Sequence, residues 1–155
     1  MNLNSLELKV PPIVLVFITA LAMYFSPNPI VYFTFDKEVV LYLTRGLFVL
    51  SSSIVVAGIY CFKKANTSVD PVNPNKSSVL VDFGIYKFTR NPMYLGFAIM
   101  LLAMAIKMQT LIALLWLLVF VLYMTRFQIK PEEQALTKIF GDAYDYYCQR
   151  VRRWV

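Results

Sequence analysis

Apolar residues fall along this chain in four runs set apart by polar stretches, at 10–25, 39–62, 92–106 and 111–124. Crossing the hydrocarbon core of a bilayer takes about 20 residues, within a range of about 17–25. The second run reaches that length alone, and the other three reach it by borrowing flanking aromatic and uncharged polar residues. The pattern predicts four short membrane-spanning helices. Behind the last run, Leu136, Ile139, Phe140, Ala143, Tyr144, Tyr147, Cys148, Val151 and Trp154 recur at spacings of three and four, which predicts an amphipathic helix. Pro131 suits its first turn, Glu132 and Glu133 sit where the macrodipole favours anions, and Gly141 is placed to break or bend it. Its outer face suits a bed of anionic lipid.

The polar stretches differ in kind. "KKANTSVDPVNPNKSS" reads as a loop from its prolines, asparagines and hydroxyl residues. "VLVDFGIYKFTR" regains apolar character without a span's length, as expected of a segment lying along the membrane interface. "IKMQT" is short enough to make the third and fourth spans a tight hairpin. The first run lacks the marks of a cleaved leader: Glu7 offsets Lys9 in its flank, and "YFSPNP" offers no small-x-small site. It reads as a retained helix entered through Pro11 and Pro12.

Composition agrees with a membrane chain, since 59% of the 155 residues are hydrophobic and the mean hydropathy is +0.60, against about 45–50% apolar in a soluble domain. The formal net charge of +6 is concentrated beside the apolar runs. Residues 63–91 carry Lys63, Lys64, Lys76, Lys87 and Arg90 against Asp70 and Asp82, and the tail from Arg126 carries six basic and four acidic residues. The loop at 26–38 is net acidic. Basic residues flanking spans stay cytoplasmic, so both termini and residues 63–91 are expected on that side. This placement explains the charge through lipid, not nucleic acid. Cys61 and Cys148 then lie on the reducing side, where a structural disulfide is not expected.

Chemistry is narrowed by what is missing. The chain has no histidine, which excludes Ser-His and Cys-His pairs and a zinc site. Neither phosphate-cradling glycine motif occurs. What remains is two polar knots at the ends of apolar runs. The first is "GIYKFTRNPMYLGF", with Tyr86, Arg90, Asn91 and Tyr94; the second is "TRFQIKPEEQAL", with Arg126, Gln128, Glu132 and Glu133. Pro92 fixes a helical first turn and holds Asn91 extended, so Asn91 is expected to cap the third span. Gly96 allows another group close to the backbone. Two adjacent carboxylates at an anionic membrane face call for a cation, either Arg90 or Arg126 or a cationic ligand. A hairpin of spans three and four puts both knots at one end, forming a pocket suited to a zwitterion that also carries a positive centre. The plainer alternative is a non-catalytic membrane protein with a capped helix, an aromatic-belt tyrosine and a snorkelling arginine.

The two knots carry G-x-Y-x-x-x-R-[HN]-P-x-Y-x-G and then E-E-x-x-L-x-x-x-F-G-x-x-Y-x-x-Y. In this, residues 78–151 resemble the isoprenylcysteine carboxyl methyltransferases and the related phospholipid methyltransferases. The resemblance implies an all-α integral membrane enzyme of about four transmembrane helices with a cytoplasmic C-terminal amphipathic helix. One membrane domain would occupy 1–155, with two N-terminal spans in 1–62 and the cofactor-binding core in 78–151. It implies S-adenosylmethionine as cofactor, held by Ser78, Val79, Leu80, Val81, Tyr86, Asn91, Pro92, Met93, Tyr94 and Glu132. Asn91 stands where many members have histidine. The arginine that contacts substrate in the eukaryotic prenylcysteine enzymes falls on Gln128, with Arg126 earlier in the same segment, so both are substrate-site candidates. Arg90, Arg126 and Glu133 are the catalytic candidates, Glu133 as the one obvious proton acceptor. The acceptor implied is a lipid-like or prenylated molecule from the bilayer, expected to react through a carboxylate. A phospholipid amine N-methyltransferase and a membrane reductase of related architecture using NADPH are the alternative enzymes.

Overall fold

The computed structural model describes residues 7–26, 34–66 and 79–155. Every regular element among them is helical: α1 (Pro12–Phe25), α2 (Lys37–Lys64), α3 (Pro92–Met108), α4 (Leu111–Tyr123), α5 (Lys130–Phe140) and α6 (Asp142–Arg150), with one 3-10 turn at Gly84–Lys87. Local chemistry sets the boundaries. Asp36 caps α2 by accepting the amides of Glu38 at 2.8 Å and Val39 at 3.4 Å, and Lys63 and Lys64 close it where the dipole favours cations. Prolines open α1 and α3. Only Gln109 and Thr110 separate α3 from α4, with Gln109 left-handed at φ 54°.

A π-helical turn, Met124–Ile129, joins α4 to α5 without a break. Pro131 therefore sits inside a continuous helix instead of starting one, and the wider turn before it relieves the hydrogen bond and the space that a proline would otherwise disrupt. Gly141, at φ 52°, separates α5 from α6.

Among the described residues, two helical paths, Lys37–Lys64 and Leu111–Phe140, are long and apolar enough to cross a membrane. The helices α1 and α3, of 14 and 17 residues, are about 21 Å and 26 Å long at 1.5 Å per residue, short of a hydrocarbon core of about 30 Å. Within the bundle, Val16 and Met23 of α1 pack with Tyr94, Leu101 and Ala105 of α3 and with Ala113 and Phe120 of α4. The α2–α3 pair is the closest: the Ser51 hydroxyl donates to the Gly96 carbonyl at 2.8 Å. Facing outward, Phe17, Tyr42, Val49 and Leu118 are more than half exposed, and almost none of the apolar stretch of α2 is buried within the chain. Exposed apolar surface of this extent belongs against lipid or another protein.

One end of the bundle gathers three separate parts of the chain. The Leu8 amide donates to the Phe127 carbonyl at 3.0 Å, and the Arg90 amide donates to the Arg152 carbonyl at 3.0 Å. The N-terminal stretch, the segment before α3 and the C-terminal tail thus meet at the end where α3 begins.

Candidate functional site

That end holds a cavity built from both polar knots. Its volume is about 60 Å³, counted as room for the centres of water-sized molecules. Val79, Leu80 and Val81 form one rim, and Phe62 at the end of α2 lines the cavity with them. Tyr86, Arg90, Asn91, Met93 and Tyr94 come from the 3-10 turn and the start of α3; Glu132, Glu133, Leu136 and Phe140 come from α5. Tyr144 and Tyr147 reach in from α6.

The two adjacent carboxylates have opposite surroundings. Arg153 grips Glu133 with a two-pronged contact, Nε to Oε1 at 3.0 Å and Nη2 to Oε2 at 2.6 Å. Arg90 adds Nη2 to Oε1 at 2.9 Å. Glu132 instead accepts the Tyr94 hydroxyl on Oε2 at 2.9 Å and, among the described residues, meets no cation. Successive helical residues point about 100° apart, so one glutamate meets the arginines while its neighbour meets Tyr94. Gln128, one turn before Glu132, completes a relay by donating to the Tyr94 oxygen at 3.5 Å. Arg90 carries a second unmet need: its Nε is buried and, among the described residues, has no hydrogen-bond partner.

The aromatic wall stays neutral. Burial first, with nearby Glu132 second, raises the Tyr86 phenol well above the ordinary tyrosine value. Burial likewise raises Tyr144 and Tyr147, so all three are hydrogen-bond donors and not bases near neutrality. The Tyr147 hydroxyl spends its proton on the Tyr86 carbonyl at 2.7 Å. Arg153 is raised by its hydrogen bond to Glu133 and stays charged.

The structure brings together Val79, Leu80, Val81, Tyr86, Arg90, Asn91, Met93, Tyr94, Glu132 and Glu133. It does not bring three other candidates to the cavity wall. Arg126 points to the N-terminal stretch, where Nη1 meets Glu7 Oε1 at 2.7 Å. Gln128 is buried behind Tyr94. Pro92 is buried against Gly58 of α2. Ser78 lies outside the described residues. Asn91 forms no helix cap; its side-chain amide donates to the Arg153 carbonyl at 2.9 Å, because the C-terminal tail folds over this corner.

Sequence reasoning missed Phe62, Leu136, Phe140, Tyr144, Tyr147 and Arg153. Four of these stood in the three-and-four periodicity of the tail. Its inner face packs Tyr144, Tyr147 and Val151 against Leu80, Leu136 and Phe140, while Tyr146 points outward. Phe62 gave no signal within its apolar run.

A profile of the phospholipid methyltransferase family matches residues 39–143. The chain belongs to the phospholipid methyltransferase family. The match runs from α2 to the start of α6, so every cavity-lining residue except Tyr144 and Tyr147 falls inside it. Among curated relatives, an uncharacterized protein of Haemophilus influenzae is 41% identical over 63 residues, which is 41% of this chain and all of that protein. The protein-S-isoprenylcysteine O-methyltransferase of Schizosaccharomyces pombe is 31% identical over 113 residues, covering 71% of this chain. The chain spans 44% of the length of that yeast enzyme. No solved structure matches it.

In this phospholipid methyltransferase family member, Tyr147→Phe is expected to lower stability by about 1–3 kcal/mol, since it leaves the Tyr86 carbonyl buried without its donor. Denaturation of the purified protein in detergent micelles measures it; an unchanged midpoint would show that the bond adds nothing.

Proposed function

We propose that the chain is an integral membrane methyltransferase that holds S-adenosylmethionine in this cavity and methylates a lipid-like carboxylate. The observation carrying the reading is a pair of unmet groups among the described residues: the Glu132 carboxylate, which meets no cation, and the buried Nε of Arg90, which has no hydrogen-bond partner. An α-amino acid group answers both, its ammonium toward Glu132 and its carboxylate toward Arg90. The cavity's other groups fit the same cofactor. Tyrosine faces attract a sulfonium. The backbone groups of Val79, Leu80 and Val81 form no hydrogen bond among the described residues, which leaves them free to read a base edge.

Bound, the cofactor supplies an electrophilic methyl group on a positively charged sulfur. The residues of this chain bind it, orient it and exclude water through the wall of Phe62, Leu136 and Phe140. A carboxylate acceptor needs no general base at neutral pH, and its reaction with a cation is favoured in a low-dielectric site. An amine acceptor must first lose a proton, and Glu133, held by two arginines, is poorly placed to take it. The positively charged flanks put this end of the bundle, with both termini, in the cytoplasm, and the acceptor reaches the site from the bilayer.

Membranes containing the protein, incubated with a methyl-labelled donor and then treated with alkali, test the acceptor. Label is expected to be released as methanol, as from a methyl ester. Label that survives alkali would replace the carboxylate with the headgroup amine of a phospholipid.

A further inference from the structure

The last residues of the chain form a clamp across the site. Three successive residues before α3 bond to it: the Arg90 amide to the Arg152 carbonyl at 3.0 Å, and the Thr89 hydroxyl and Asn91 side-chain amide to the Arg153 carbonyl at 3.4 Å and 2.9 Å. Trp154 Nε1 donates to Thr125 Oγ1 in the π turn at 3.2 Å. At the centre, Arg153 takes both oxygens of Glu133 while Arg90 takes one.

A guanidinium facing a carboxylate favours the two-pronged arrangement, because both parallel bonds are charge-assisted. Arg90 is the cation that would adopt it with Glu133 were Arg153 absent. With Arg153 in that place, Arg90 is limited to one bond through Nη2 and its Nε is left over. We propose that Arg153 is a positioning residue: by occupying Glu133 from the far side it keeps Arg90 from closing on that acid and preserves a donor for the carboxylate of the bound cofactor. This rests on the cofactor reading above. The tail thereby acts on ligand selection without touching the ligand.

The test compares S-adenosylmethionine with its decarboxylated form, which keeps the ammonium and sulfonium but offers Arg90 nothing. Binding of both is measured by calorimetry on the detergent-purified full chain and on Arg153→Ala and Arg153→Lys, the second keeping the charge without the fork. The wild type is expected to prefer the carboxylated ligand. Each variant should bind it about tenfold more weakly while binding the decarboxylated form nearly as before. Equal losses for both ligands would make Arg153 a mere prop of the fold, and no loss for either would leave it without a role; both results overturn the proposal. Wild-type protein that binds neither ligand overturns the cofactor reading and this inference with it.

Discussion

Glu132→Gln should weaken S-adenosylmethionine binding by about 1.5–3 kcal/mol, the range for a hydrogen bond to a charged group, or roughly ten- to a hundredfold. The substitution isolates the charge. A glutamine carbonyl can still accept the Tyr94 hydroxyl that now bonds to Oε2 at 2.9 Å, so the local scaffold stays intact while the attraction for an ammonium group is lost. Glu133→Gln is a different experiment, because it disturbs the contacts with Arg90 and Arg153 and unsettles the tail as well. Calorimetry on folded protein reads the first result directly. Affinity unchanged in Glu132→Gln would remove the cavity from consideration as the cofactor site.

Gly96→Val should destabilise the protein by about 1–3 kcal/mol, the usual range for overpacking. Even a single added carbon would lie 2.5 Å from Val55 Cγ2 and 3.1 Å from the Ser51 carbonyl oxygen. Val55 is β-branched and has little rotamer freedom within a helix, and the carbonyl belongs to the backbone of α2. Relief therefore requires α2 and α3 to separate, stretching the 2.8 Å bond from Ser51 to the Gly96 carbonyl. Close backbone approach at small residues is how helices associate in lipid. Since α2 carries Phe62 and α3 carries Tyr94, cofactor affinity should fall with stability. Gly46 supplies the control. A Cβ there meets nothing within 4 Å, so Gly46→Ala should be neutral or stabilising by about 0.5–1 kcal/mol, the helical advantage of alanine over glycine. Thermal unfolding in micelles compares the two, and equal midpoints for both variants would refute the packing argument.

Much of the molecule was legible along the chain. Apolar run length and proline position located α1 to α4, and "IKMQT" announced the short link at Gln109 and Thr110, because these depend on local chain geometry. Gly141 marked the division between α5 and α6 for the same reason. Most of the cavity could also be read, since two polar knots at the same end of a hairpin must lie near each other. The tertiary structure decided the rest. Periodicity showed that the tail has an apolar face but not what covers it; inner-face packing placed Tyr144 and Tyr147 on the cavity. Local sequence gave Glu132 and Glu133 the same chemistry, yet the turn of the helix and the arrival of Arg153 from 20 residues away leave one neutralised and the other waiting for a cation. The sequence offered Arg126 as a partner for those carboxylates, and the helix aims it at Glu7 instead. Sequence patterns carry periodicity and type, because those follow from the backbone within a few turns. Which charges meet depends on direction and reach in three dimensions, and that comes only from the packed chain.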